Sequence, residues 1–268
     1  MVTEKIFING LSIVAPGLIE RDKVFSILRG DQQWQAEPLP IFVPSMLPSN
    51  ERRRTTPVID LAIQTIQPLF RNEEDLDRIA TVFSSSDGDL AIDDKLCQAL
   101  AKAEKILSPI QFSNSVHNAP AANWAIAASL HTPSVSLSAG DGTFAAGLID
   151  SITQVISEQQ NTLLVAYDVV APDPLDAFRH FEYSLGLAMR LGMNKESGYL
   201  GSISISLENN EQKTTPCQNK SLEPLRIGNP IGAGLPLMEA LARKSTSSII
   251  NIPYIMGNQL QVNVSREC

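Results

Sequence analysis

A chain of 268 residues, 43% of them hydrophobic, is long enough for one large domain with a proper core, or for a domain and a half. Its formal net charge of −8 and pI near 4.9 argue against non-specific nucleic-acid binding. Cys97, Cys217 and Cys268 are widely spaced, form no CxxC pair, and fit a reducing cytoplasm. No apolar run approaches the roughly 20 residues of a bilayer span, and the N-terminus lacks a basic region followed by an apolar one. The expectation is a cytoplasmic protein with no membrane span.

Residues 5–14 (KIFINGLSIV) are rich in β-branched and aromatic residues and read as a strand ended by Ala15-Pro16-Gly17. A short helix over 21–28 and a proline-containing irregular stretch over 31–44 follow. From 56 to 70 the apolar residues Val58, Ile59, Ala62, Ile63, Ile66 and Leu69 recur with a helical period. Thr55 or Thr56, just before Pro57, suits the N-cap of that helix. A strand over 78–84 runs into the serine-rich turn 84–88, and helices are expected over 90–107 and 119–130. Residues 134–138 form a short β-branched strand, followed by a small-residue turn and a long helix to about 159. Residues 161–170 read as a buried strand, 175–191 as a helix and 199–207 as a strand. The polar run 208–219 marks a surface loop. A helix over 235–243 and strands over 248–254 and 259–265 end the series. Strands alternating with helices predict an α/β fold with a mainly parallel sheet covered on both faces.

The strand 134–138, the turn Ala139-Gly140 and the helix opening at Asp141 or Gly142 make a strand–turn–helix on which many enzymes mount a nucleophile. Such a turn exposes one side chain, and the free N–H groups of the helix start stabilise an anion there. This chain places Asp141 at that point, where a carboxylate is expected to cap the helix, a role worth about 1 kcal/mol. His117, His131 and His180 show no metal-ligand spacing, so no metal is expected. His117 suits local hydrogen bonds in its loop or a partner contact, and His180 a surface position on a helix. Cys97 reads as a small core residue of its helix, and Cys217 lies in the polar loop. No GxSxG surrounds Ser84-Ser85-Ser86, and the glycine-rich stretch 228–234 lacks the Lys-Ser/Thr of a phosphate loop. Arg52, Arg53 and Arg54 form the one basic cluster, either a solvated turn or a contact for an acidic partner.

Several of these stretches resemble the β-ketoacyl synthases of fatty acid and polyketide synthesis, a branch of the thiolase superfamily. Laid without gaps over their pattern, Pro133-Ser134-Val135-Ser136-Leu137 falls on the strand before the active-site cysteine, and Asp141 on the cysteine itself. Ser113-Asn114-Ser115-Val116-His117-Asn118-Ala119-Pro120 is similar to a synthase-like subfamily of bacterial aryl polyene gene clusters. Ala15-Pro16-Gly17-Leu18, Leu47-Pro48-Ser49-Asn50-Glu51-Arg52-Arg53-Arg54 and Leu235-Pro236-Leu237-Met238-Glu239-Ala240-Leu241 agree with it. The resemblance covers nearly the whole chain. It implies the N-terminal half of a thiolase-like fold over residues 1–208, a five-stranded mixed sheet between helices. A short extension over 209–268 would carry a loop, a helix and two strands. A complete ketosynthase has a second half that holds two catalytic histidines. The roughly 60 residues after Leu207 fall short of it, since each βα unit takes about 30 or more.

The resemblance also implies a role. A carboxylate at 141 cannot form the family's thioester, so no catalytic residue is expected. The chain would be a non-catalytic, chain-length-factor-like subunit in aryl polyene elongation. It would form a heterodimer with an active β-ketoacyl-acyl carrier protein synthase, which supplies the Cys-His-His chemistry. The edge strand Ser134, Val135, Ser136, Leu137 and Ser138 would pair with the partner and bury about 2,000 Å² or more. Phe112 and Val116, in the loop 110–116, would set the depth of the partner's acyl tunnel. Arg52, Arg53 and Arg54 would dock an acyl carrier protein. No cofactor is expected to be bound, and the carrier's phosphopantetheine would be met only through the complex. Two alternatives remain open: a stand-alone thioesterase or decarboxylase using Asp141 or a serine of the Ser84 turn, and a carrier-protein docking module without chemistry.

Overall fold

The computed structural model describes residues 2–70, 78–209, 213–243 and 247–266, so Cys268 lies outside the described residues. In chain order its elements are β1 (Val2–Val14), α1 (Arg21–Arg29), α2 (Ser49–Arg52), α3 (Pro57–Ile66), β2 (Ala80–Ser84), α4 (Leu90–Ala101), α5 (Pro109–Asn114), α6 (Ala119–Ala127), β3 (Ser134–Leu137), α7 (Thr143–Glu158), β4 (Thr162–Asp168), β5 (Leu185–Gly192), β6 (Gly201–Glu208), α8 (Glu223–Ile227), α9 (Leu235–Ala242), β7 (Ser247–Pro253) and β8 (Gln259–Ser265).

The strands form one sheet in the order β3-β2-β4-β5-β1-β6-β8-β7. Only β3-β2 and β2-β4 pair in parallel; every other pairing is antiparallel. The sheet is therefore mixed: among the described residues six strands lie within 1–208, where the resemblance implies five, the extension supplies two as expected, and the expectation of a mainly parallel sheet is corrected. The parallel part is confined to the strands joined through helical crossovers, and of the antiparallel pairs only β4-β5 and β7-β8 join strands consecutive in the chain. The 209–268 segment adds β8 and β7 to the same sheet beside β6.

Helices cover the two faces. On one, α7, α9 and α1 bury Phe144, Leu148, Leu237, Met238 and Ile27 against the sheet. On the other, α3 and α6 bury Ala62, Ile66 and Trp124 over Phe83, Val165 and Tyr167. Each of the leucine, isoleucine, methionine and phenylalanine side chains among them contributes roughly 1.5–3 kcal/mol by leaving water. α3 begins as its sequence predicts, with Pro57 in the first turn and Thr56 Oγ1 accepting from the Ile59 N–H. Gly147 lets α7 settle on the sheet: a Cβ there would meet Ser84 Oγ at 2.7 Å.

The largest departure is at 175–191, expected to be helical. Leu175–Ala177 is a single 3-10 turn and β5 occupies Leu185–Gly192. Its residues are helix formers, but β5 lies between β4 and β1, and both neighbours need backbone partners. Burial on both faces erases the alternation that marks a half-exposed strand. Gly186 is required for close packing, because a Cβ there would lie 2.0 Å from Thr65 Oγ1 of α3. His180 is consequently in a loop, exposed and bonded to Asp176 at 2.8 Å. α4 ends at Ala101 rather than 107, and Cys97 is exposed on it rather than in the core. Cys217 is buried, and desolvation pushes its thiol pKa up.

Candidate functional site: the turns beyond the parallel strands and the flank beside them

Parallel strands deliver their following turns to one end of a sheet, where α/β folds gather functional groups. Here the turns after β2, β3 and β4 meet. Asp168, the last residue of β4, is almost fully buried and accepts hydrogen bonds from Ser85 Oγ (2.8 Å), the Ser86 N–H (2.9 Å) and Ser86 Oγ. Desolvation dominates those three donors and pushes its carboxyl up to about 6. Ser138 Oγ, beyond β3, donates to Ser86 O at 2.7 Å, and Asn229 Nδ2 donates to Tyr183 O at 2.8 Å.

Above this buried layer sits an ionic bridge. Arg179 Nε donates to Asp87 Oδ2 at 2.6 Å and Nη1 to Asp141 Oδ1 at 2.7 Å, with the guanidinium 5.0 Å from the Phe181 ring centroid. Asp141 lies in the 3-10 turn Gly140–Gly142 and its side chain is 76% exposed. It does not cap α7, as the sequence reading expected: Gly142 is the N-cap and makes no side-chain cap bond. Thr143 Oγ1 ties the turn instead, accepting from the Ala139 N–H at 2.9 Å and donating to Gly140 O at 2.7 Å. The charged Arg179 outcompetes neutral backbone donors for the carboxylate. None of Ser84, Ser85 and Ser86 is an exposed nucleophile, since all three are buried.

β3 is the edge of the sheet, with β2 its one neighbour. Ser134 and Val135 are exposed, Ser136 and Leu137 half-buried, and the exposed Ser138 follows the strand. Beside it, the loop expected over 110–116 carries α5, anchored by Asn114 Nδ2 donating to Arg54 O at 2.6 Å. Phe112 is 62% exposed and Val116, two residues past α5, 50% exposed. Between α5 and α6 runs a groove of about 470 Å³ with Ile110, Val116, Ala119, Ala122 and Ile126 in its walls. His117 Nε2 donates to Leu137 O at 3.0 Å and ties this flank to the edge strand.

The arginines divide. Arg52 Nη2 donates to Ser45 O and Leu47 O, both at 2.9 Å, and so braces its own turn. Arg53 and Arg54 are exposed and line a groove of about 250 Å³ together with Lys95. Among the described residues no cluster of His, Cys, Asp and Glu could hold a metal, and no helix is long and apolar enough to cross a membrane.

The sequence reading located Asp141, β3 and the α5 loop but missed Asp168, Arg179 and Tyr167. The turns after successive parallel strands carried a signal for Arg179. Asp87-Gly88 follows β2, Asp141 follows β3 and Arg179 follows β4.

A comparison with curated proteins finds no match. Among solved structures, one match is the ketosynthase ApeO in complex with its chain length factor ApeC from Xenorhabdus doucetiae, at 21% identity and TM-score 0.71 over 98% of this chain and 99% of that chain. A second, titled AntDE:AntF, a type II PKS acyl-carrier protein in complex with its ketosynthase bound to the hexaketide, has 11% identity and TM-score 0.72 over 99% of both chains. The ishigamide ketosynthase/chain length factor matches at 13% identity and TM-score 0.70, over 97% of this chain and 99% of that one. These likenesses establish a ketosynthase-type, thiolase-like fold. Residues 29–247 match the family described as beta-ketoacyl synthase, N-terminal domain, and the chain belongs to that family.

Proposed function

We propose that the chain is a non-catalytic, chain-length-factor-like subunit of a ketosynthase heterodimer in aryl polyene elongation. The observation that carries this reading is the flank of α5, α6 and β3. An unpaired strand edge lies beside an apolar groove, and Phe112 and Val116 stand in solvent next to both. Edges and apolar patches of this kind are covered by partners in stable proteins. In the complex, β3 pairs with the partner's corresponding edge, and Phe112 and Val116 reach the floor of its acyl tunnel. The partner supplies the nucleophile and both histidines.

Asp141 supports the division of labour, since a carboxylate held by Arg179 does not form a thioester. Arg53 and Arg54, beside Lys95, give an acidic carrier protein a cationic contact. The experiment is co-expression with a ketosynthase from the same gene cluster, followed by gel filtration and product analysis. A stable one-to-one complex that alone extends malonyl thioesters is the expected result. A chain that stays monomeric beside it, or extends malonyl thioesters alone, overturns the reading.

A further inference from the structure

Behind the α5 flank lies a second, much smaller space. A cavity of about 10 Å³ is lined by Tyr167, Asp89, His117, Val116, Asn114 and Thr56, among others. That room suits one hydrogen-bonding heavy atom. Two of the residues lining it have buried polar atoms with no partner among the described residues: the Tyr167 hydroxyl and Asp89 Oδ2. Native proteins rarely leave such atoms unmatched. Tyr167 is fully buried, with its ring held edge-on to Phe83 at 6.2 Å. Burial pushes its pKa up, so it remains an O–H donor. Asp89 is fixed as the N-cap of α4, with Oδ1 accepting from the Ile92 N–H at 3.0 Å.

The pair calls for a group that accepts from tyrosine and donates to a carboxylate. A hydroxyl does both, whereas a ketone or ester oxygen satisfies the tyrosine and leaves the carboxylate unmatched. Val116 and Asn114 line both this cavity and the groove of about 470 Å³ between α5 and α6. The groove has the volume of a small-ligand site and mostly apolar walls. Resting on the reading of the chain as a tunnel-shaping subunit, we infer that groove and cavity together form an end-stop for an acyl chain with a terminal hydroxyl. The apolar chain lies along Ile110 and Ile126 and passes Val116 and Asn114, which line both spaces, and Tyr167 and Asp89 hold the hydroxyl.

Water offers the same donor and acceptor, and the test separates the two. The complex with the catalytic ketosynthase is given ω-hydroxyacyl and unsubstituted acyl thioesters of equal length as primers. The hydroxylated primer should be favoured roughly tenfold or more in kcat/KM, because its competitor leaves buried groups unmatched. Tyr167→Phe keeps the ring and its packing and should bring the ratio close to one while the complex still assembles. Equal use of both primers by the unaltered complex, or a preference untouched by Tyr167→Phe, overturns the inference and leaves water as the sole occupant. Should no ketosynthase assemble with the chain, the tunnel reading fails on its own, and calorimetric titration of the full chain with the same two thioesters decides the end-stop. Selective binding of the hydroxylated probe, lost in Tyr167→Phe, sustains it; no selectivity ends it.

Discussion

The turn carrying Asp141 and the flank built on α5 are neighbours along β3, yet their side chains are committed in opposite ways. At the turn Asp87 and Asp141 share Arg179, and Asp168 below takes three donors. On the flank, Ile110, Phe112, Val116 and Ile126 are exposed. Satisfied polar networks fix local structure, whereas an open apolar face stores free energy that only association releases. The chemistry-bearing end of this fold is thus closed on itself, and the contact-bearing side is left open. The proposed function rests on the open side.

The sharpest way to break that contrast is to charge the flank. Phe112→Asp combined with Val116→Asp would place two carboxylates in the proposed interface. Affinity for the ketosynthase partner should fall at least a thousandfold, about 4 kcal/mol, as read by a binding titration. Both positions are exposed in the isolated chain, so its own stability should move by no more than about 0.5 kcal/mol. A complex that survives the pair unchanged would place the contact elsewhere.

The closed end has a pH signature. Asp168 has a folded pKa of about 6 against an ordinary 3.8, so between those values the folded chain keeps a proton that the unfolded chain has released. The sign follows directly: this contribution is fully present below about pH 4 and is lost as pH rises through 6. The shift amounts to about 3 kcal/mol for this nearly fully buried group. Denaturant unfolding across that range should show the step in the natural chain and not in Asp168→Asn. A flat profile in the natural chain would mean that the hydrogen bonds from Ser85 and Ser86 cancel the desolvation, and a step of opposite sign that they outweigh it.

How much of this was legible depends on the distance over which the signal acts. β1, β2, β3, β4 and β6 were readable because their β-branched runs end in turn residues. β5 was not, because Leu187, Ala188, Met189 and Arg190 favour helix locally and become a strand only between β4 and β1. The Asp141 turn was readable from its small residues, but the residue that holds Asp141 stands 38 positions away. A contact between two loops carries no period. The Tyr167–Asp89 pair was hidden for a further reason: β4 is buried throughout, and its tyrosine resembles any core aromatic until its hydroxyl is seen to lack a partner among the described residues.

The smallest expected effect is the most discriminating for the role of the turn. Asp141→Asn removes one charge from the bridge and keeps the shape. Its side chain is 76% exposed, so the pair with Arg179 is largely screened by water. Asp87, bonded to the same guanidinium at 2.6 Å and less exposed, remains to hold Arg179 in place. The melting transition should therefore shift by no more than the equivalent of about 0.5–1 kcal/mol. Assembly with the ketosynthase and the length of its products should not change at all. If instead Asp141→Asn forms the complex normally but slows carbon–carbon bond formation, this carboxylate takes part in the chemistry, and the closed end of the molecule is a working site. A structural anchor and a chemical participant both tolerate the loss in stability, so turnover of the intact complex is the measurement that separates them.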